Sequence, residues 1–564
     1  MKHVGPISGI ATHGGTLIAT SGYDNQVILW DAEQKTALGR VFHDHLANQC
    51  AFSPSGDLLV SASSDYSARL WTVPEMKLVA VLNGHKDDVE MAVFSPDGTL
   101  IATCSRDRII GIFDTSGRLL RLLEGHEADV ISVAWTNDGT ELLSSSDDGT
   151  IRRWSVADGT QIDLIDQDGV ETDTIVITAD GTIYSGDDGG RISIFQEDGA
   201  TLVDAHNAGI KRLIYSAELG LLASLSYDRS LCIWTIADDG ALAQPQSTTF
   251  PNIIWPRSGA FLNSQEMVFG TFGSTYALYD MQSETWSTKD VQPDKSINAV
   301  VHCDDGRTAW IGDAGECHFS GGDSVQVDSL CNFLLPARDM ILSAGQTGEI
   351  FDVRSGGKIH AHRSPINCAT LVQQSGDSYA ILGAYTGEGV VLRLSEDGRS
   401  AMHVKDIPLH SNAVKGIASD NKHIFSVSAD GGAAWHRIAD FEVDCLLQTG
   451  HSMIANGCTN VSEGVFASVS RDLKLRLWTG VGECEVIDTP HHNSIKCIAS
   501  SHDGRFIATG GYFGAVAIYD VENRAWTTQT RPSSAGISSI CAVPQADAFL
   551  CSSYDGEIHE IHAT

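Results

Sequence analysis

A chain of 564 residues that is 42% apolar can bury several large cores, and its 72 acidic against 37 basic residues leave a formal net charge of −35. Phosphate-binding surfaces need clustered Lys and Arg, so this balance excludes a general nucleic-acid or anionic-membrane binder and points to solubility and to a preference for basic partners. Thirteen cysteines are scattered from Cys50 to Cys551 without one C-x-x-C pair, which excludes zinc ribbons and thioredoxin-type motifs and reads as buried thiols in a reducing, cytoplasmic compartment.

Taken in chain order, one unit recurs. Residues 51–72 (AFSPSGDLLVSASSDYSARLWT), 93–114 (VFSPDGTLIATCSRDRIIGIFD) and 134–155 (AWTNDGTELLSSSDDGTIRRWS) share one spacing. Each has an apolar run, an Asp-Gly or Ser-Gly turn, a second apolar run, a Ser-x-Asp turn, and a third run ending in an aromatic residue. The closing position falls at Trp30, Trp71, Phe113, Trp154, Phe195, Trp234 and Tyr279, then at Phe319, Val353, Leu394, Trp435, Trp478, Tyr519 and Ile561. Steps are 39 to 45 residues, except 34 between Phe319 and Val353. The pattern is clear in residues 1–235 and 400–564 and eroded between them.

The runs are four to six residues long, rich in Val, Ile, Leu and Ala, and bounded by Gly, Asp and Ser, which is strand chemistry. Fourteen Asp-Gly pairs suit tight turns, because both residues tolerate positive φ. No sustained 3.6-residue period occurs, so helix should be nearly absent. Regularly spaced strands joined by tight turns predict an all-β fold of radially arranged four-stranded sheets, and fourteen units divide into two rings of seven. The division is expected in the polar stretch 281–295, giving domains 1–285 and 286–564. The N-terminal MKHVGPISGI lacks a signal-peptide pattern, and no apolar run approaches a membrane span. The sequon at Asn460 has no meaning without secretion.

The units resemble WD40 repeats. Gly84-His85, Gly125-His126 and Gly450-His451 match the family's Gly-His element. Trp30-Asp31 matches its Trp-Asp, with Phe113-Asp114 and Tyr519-Asp520 as variants. The resemblance implies tandem seven-bladed β-propellers, similar in architecture to the fourteen-blade actin-interacting WD-repeat type. It also implies a His–Ser–Asp–Trp network inside a blade, carried onto His43, Ser63, Asp65 and Trp71, and onto His126, Ser146, Asp148 and Trp154. Two further sets are His206, Ser226, Asp228 and Trp234, and His451, Ser470, Asp472 and Trp478. A catalytic reading of His, Ser and Asp is set aside, because the set repeats around the ring and the Trp has no part in nucleophilic chemistry. In blade 11, Trp435 comes one residue early.

Members of the family bind partners on the face bearing the b–c turns, often through the residue before the turn Asp. Those residues are Tyr23, Ser64, Arg106, Asp147 and Tyr227 in the first ring, and Ala429, Arg471 and Tyr554 in the second, with Tyr512 nearby. Tyr and Arg are enriched at interface hot spots. Asp87, Asp88, Glu127 and Asp129 add acidity to the same rim. The His pairs at His43/His45, His360/His362 and His491/His492 offer too few convergent ligands for zinc, so no metal or cofactor is expected. The termini pose a closure problem: either the last blade has three strands, or one terminal blade belongs to the other ring. The leading functional expectation is a non-catalytic protein-interaction scaffold. Actin regulation and a regulatory or sensor role in a bacterial multi-protein system are the alternatives.

Overall fold

The computed structural model describes residues 1–196, 199–292, 295–313, 315–327 and 329–563, and every regular element among them is a β-strand. Two compact units, Met1–Asp294 and Lys295–Thr564, divide the chain. The expected boundary at 285/286 falls short of this division. Tyr279 closes only the third strand of its blade. A fourth strand, Thr285–Ser287, follows, and the loop beyond it returns to the blade, where Ser274 N–H donates to the Gln292 carbonyl at 2.9 Å.

The first unit holds seven antiparallel four-stranded sheets, each in sequence order. Their first strands pack against one another in succession, from Ile7–His13 against Ala47–Phe52 onward, until Ile254–Phe261 returns to Ile7–His13. At that closing junction the Ile10 N–H donates to Ser258 Oγ and Thr12 Oγ1 donates to the Phe261 carbonyl, both at 2.7 Å. Apolar clusters fill the junctions between blades, such as Ile110, Val133, Leu142 and Trp154 between blades 3 and 4, and Ile10, Trp30, Leu262 and Tyr276 between blades 1 and 7. Each such side chain contributes roughly 1.5–3 kcal/mol on burial.

The second unit also holds seven sheets. Its last sheet has three strands, Ile537–Ala542, Ala548–Ser553 and Ile558–His562. Ile537–Ala542 closes the ring on Ile297–His302, with Ser538 Oγ donating to the Ile297 carbonyl at 2.5 Å. The ring thus closes through its inner strands, with three strands in the last sheet among the described residues and no blade exchanged between rings. The eroded blades 7–10 still form sheets, although the first strand of blade 9, Leu335–Ala337, is only three residues long. In blade 11, Trp435 lies opposite Phe425, and His436 takes the register that Trp154 occupies in blade 4. Strand alternation therefore turns Trp435 to the other face, where it packs on Phe425 and Trp478.

A buried polar relay ties together the strands of many blades. In blade 2 the Ser61 hydroxyl donates to His43 Nε2 at 2.7 Å and accepts the Trp71 indole N–H at 2.8 Å, while His43 Nδ1 donates to Asp65 at 3.1 Å. His126, Ser144, Asp148 and Trp154 repeat it, as do His451, Ser468, Asp472 and Trp478. In blade 6, His206, Ser224 and Trp234 do the same, with Ser230 between the imidazole and Asp228.

The joining hydroxyls are thus Ser61, Ser144, Ser224 and Ser468, in place of the expected Ser63, Ser146, Ser226 and Ser470. Both positions lie on one face of the strand. Trp71 sits opposite Leu59, so Ser61 is about 7 Å along the strand and Ser63 about 13 Å, beyond the reach of an indole. The later serines instead hold the b–c turn, where Ser63, Ser146, Ser226 and Ser470 each accept the N–H of the turn Asp at 3.0 or 3.1 Å. Blade 1 has a full relay that the sequence reading did not identify, from Asp24 through His3 and Thr20 to Trp30. The joining serines are fully buried and their oxygens are occupied by imidazole and indole, so they offer no nucleophile.

Burial alone would raise the Asp65, Asp148 and Asp472 carboxyls, but the imidazole hydrogen bonds and turn N–H groups outweigh it and hold them below the ordinary range. Burial lowers the imidazoles: His43 and His451 fall below the ordinary value despite Asp65 and Asp472, and His410 and His491, which bond Ser426 and Thr509, are each pushed down to about 4.

The second residue of most inner strands is skipped by the pairing register, forming a bulge that re-aims its side chain. Six of these residues, and Asn332 just ahead of Leu335–Ala337, donate to a backbone carbonyl at the start of the next blade. Ser8 reaches Ala47 at 2.5 Å and Asn48 reaches Val89 at 2.9 Å in the first ring. In the second, Asn298 reaches Cys331, Asn332 reaches Ile366, Asn367 reaches Val414, Asn456 reaches Ile495, and Ser538 reaches Ile297, at 2.5–3.2 Å. These bonds form a belt at the inner edge of the blades, each worth about 0.5–1.5 kcal/mol.

The relay geometry sets two expected outcomes. Ser144→Ala orphans both His126 and Trp154 and should lower unfolding stability by about 2–4 kcal/mol, against about 1 kcal/mol for Ser146→Ala; urea midpoints measure both, and equal losses would refute the Ser144 register. His410 and His491 have folded values below the unfolded 6.5, so their contribution is complete above pH 6.5 and is lost as pH falls toward 4. Between pH 7.5 and 5 each should cost the second unit about 1–2 kcal/mol, and a His410→Gln, His491→Gln variant should show a correspondingly flatter pH dependence of its urea midpoint.

Candidate functional site

Charged side chains occupy the bulge position in several blades of the first ring, where Ser8 and Asn48 close the belt in others. They are Glu90, Asp173 and Lys211. The b–c turn residues expected on a binding face meet them at the channel mouth. Arg106 Nε bonds Glu90 Oε1 at 2.5 Å, and its terminal nitrogen bonds Asp129 at 2.9 Å. Glu90 also takes Arg257 at 3.1 Å, and Arg257 bonds the Tyr23 hydroxyl at 3.2 Å. The Tyr23 ring meets Trp255 edge-on at 5.1 Å, and Trp255 stacks on Phe272 at 5.4 Å. These contacts join blades 1, 7, 3 and 4. On the other side Lys211 pairs with Asp173 and Asp188 and lies 4.6 Å over the Tyr227 ring.

Arg106, Tyr23 and Tyr227 are therefore brought into one mouth, but each is engaged within the ring. Ser64 is buried and accepts from Asn48 Nδ2 at 3.1 Å, so it supports the belt. The balance of charge is uneven. Glu90, Asp129, Asp147, Glu171, Asp173 and Asp188 share Arg106, Lys211 and Arg257. Burial and the neighbouring Asp173, Glu171 and Asp129 push the Asp147 carboxyl well above the ordinary carboxylate range. Burial, Asp188 and Asp173 push Glu171 to about 8. Burial and the crowding of carboxyls thus favour the protonated forms of Asp147 and Glu171.

In the second ring Arg471, Tyr512, Tyr554 and Ala429 take the same place in their blades, each turn N–H bonded to a carbonyl just before an inner strand. Asp87 and Asp88 are buried and Glu127 is exposed. The remaining His pairs are separated in use: His43 and His491 face blade hydroxyls, and His360 stacks on His403 with ring centroids 4.2 Å apart.

The sequence reading missed Glu90, Glu171, Asp173, Asp188, Lys211, Trp255 and Arg257. The signal existed for three of them. A charged residue one place into an apolar strand, as in VEMAVF, TDTIVI and IKRLIYS, has nowhere to go but the channel. The long bulge carrying Trp255 and Arg257, where pairing jumps from Ile254 to Gly259, has no such signature.

The family model described as WD domain, G-beta repeat matches residues 2–31, 37–72, 76–114, 117–155 and 482–520, which correspond to blades 1–4 and 13. The chain is similar to the Target of rapamycin complex subunit wat1 of Schizosaccharomyces pombe, 25% identical over 237 residues, 39% of this chain and 75% of that protein. It is similar to the nuclear distribution protein nudF of Aspergillus niger, 26% identical over 229 residues, 28% of this chain and 52% of the relative. A probable cytosolic iron-sulfur protein assembly protein, the CIAO1 homolog of Caenorhabditis elegans, is 34% identical over 110 residues, 17% of this chain and 32% of its own length. The last two are covered over less than two thirds of their length.

Proposed function

Because the chain is a WD40-repeat protein, we propose that it is a non-catalytic scaffold that seats a basic segment of a partner protein at the channel mouth of its first ring. The observation that carries this reading is the excess of carboxyls around Asp147, Glu171 and Asp173 over the cations that share them. A lysine or arginine side chain from a partner supplies the missing charge, and the Tyr23, Trp255 and Phe272 rings offer apolar contact beside it.

The names of the similar proteins, a complex subunit and an assembly protein among them, agree with a role in holding other proteins. Thirteen free thiols agree with a cytoplasmic setting, and no helix among the described residues is long and apolar enough to cross a membrane. No observation favours the actin-regulatory or bacterial-sensor reading over this one.

A fluorescent decapeptide of alternating Lys and Gly tests the site by polarisation at low salt. Peptide lysines stay charged up to about pH 10, whereas Glu171 must lose its proton to pair fully. Affinity should therefore rise from pH 6 to pH 8.5. The Asp147→Asn, Glu171→Gln variant should bind about tenfold more weakly or worse and lose most of that pH dependence. Equal binding by wild type and variant would remove the mouth from the reading, and no binding by the wild type would remove the basic partner.

A further inference from the structure

The second ring reverses the charge of the first. Its belt of inter-blade hydrogen bonds is interrupted at two bulge positions, where Lys415 and Lys496 stand in place of Asn or Ser. Neither lysine has a carboxylate partner among the described residues. Instead Lys415 Nζ lies 4.2 Å from the centre of the Tyr385 ring, and Lys496 Nζ lies 5.9 Å from that of Tyr512. Both lysines are half-buried. Both lysines lie within electrostatic reach of the Cys368 thiol of blade 10, and Lys496 also lies within that of Tyr385 and Tyr554.

Arg471 belongs to the same mouth by its place in blade 12. The acid at the corresponding turn of blade 8, Asp313, receives the Asn298 amide at 2.7 Å. In a chain with about half as many basic as acidic residues, two half-buried lysines without a carboxylate partner among the described residues are a local inversion of charge. They also forgo two belt hydrogen bonds, so ring stability does not account for them.

We propose that the channel mouth of the second ring binds an acidic peptide segment, whose carboxylates pair with Lys415 and Lys496 between the rings of Tyr385, Tyr512 and Tyr554. The two lysines stand on blades 11 and 13, with Asn456 of blade 12 between them, and each rests on its own aromatic ring. That arrangement fits separate carboxylates along a peptide. A small phosphate is held instead by converging backbone N–H groups or a guanidinium fork. The tyrosine faces add the flat, low-entropy contact area typical of peptide-binding surfaces. This inference is independent of the basic-partner reading of the first ring.

The test is polarisation of a fluorescent decapeptide of alternating Glu and Gly with the full chain at low salt. The chain's net charge of −35 opposes non-specific capture of such a peptide. The wild type is expected to bind, K415R/K496R to retain binding, and K415Q/K496Q to lose about tenfold or more. Absence of wild-type binding, or equal binding by K415Q/K496Q, overturns the proposal. Displacement by inorganic phosphate, where acetate at equal ionic strength does not displace, shows a phosphate site and also overturns it. As a readout free of any folding defect, lysine acetylation of the wild type followed by mass spectrometry should show Lys415 and Lys496 protected by the Glu peptide; equal labelling with and without peptide overturns the assignment.

Discussion

Apolar side chains project from both faces of every sheet in this protein, and water is kept from both faces only when each sheet has a neighbour on either side. Closure of seven sheets on one another is therefore the constraint from which the rest of each unit follows. In the first unit it joins Ile7–His13 to Ile254–Phe261. In the second it joins Ile537–Ala542 to Ile297–His302, and a three-stranded final blade suffices because closure is made by inner strands. Once the ring is closed, every inner strand lines a channel, and the side chains re-aimed by its bulge have only two directions open to them, the next blade or the channel itself.

That choice separates structure from chemistry at a single position. Asn48 spans to the next blade and seals the ring, whereas Glu90, at the same place one blade on, turns to Arg106 and Arg257. The second ring uses the position mostly for sealing, with Asn298, Asn332, Asn367, Asn456 and Ser538. Its two exceptions are lysines. The blade relays work at the other end of the same strands. By holding His, Ser or Thr and Trp in one arrangement, they fix the strand pairing that delivers each turn residue to the mouth.

Much of this was legible from periodicity. The closing residues from Trp30 to Tyr279 fall on the third strands of the first seven blades, and those strands were recognisable even where the repeat was eroded. The relay was legible in its residue types but not in its register: a period of two cannot distinguish Ser61 from Ser63, and only the reach of the Trp71 indole does. The relay of blade 1 escaped because Thr20 stands where the pattern has Ser and because His3 lies at the very start of the sequence. Arg106 was recognisable as a mouth residue, yet its engagement with Glu90 and Asp129 was not, since those partners lie 16 and 23 residues away, one within an inner strand and one just before the inner strand of the next blade.

By itself the sequence determined that the chain is all strand, how long the strands are, where their turns fall and how many blades they make, because these depend on local alternation and on turn residues. The tertiary structure alone decided where one unit ends, which hydroxyl completes each relay, and which charges meet across a channel. The relay hydroxyl depends on strand register within its blade, which a period of two leaves open; the other two depend on distances between residues on different blades, and ring closure sets such distances without leaving a trace in any one repeat.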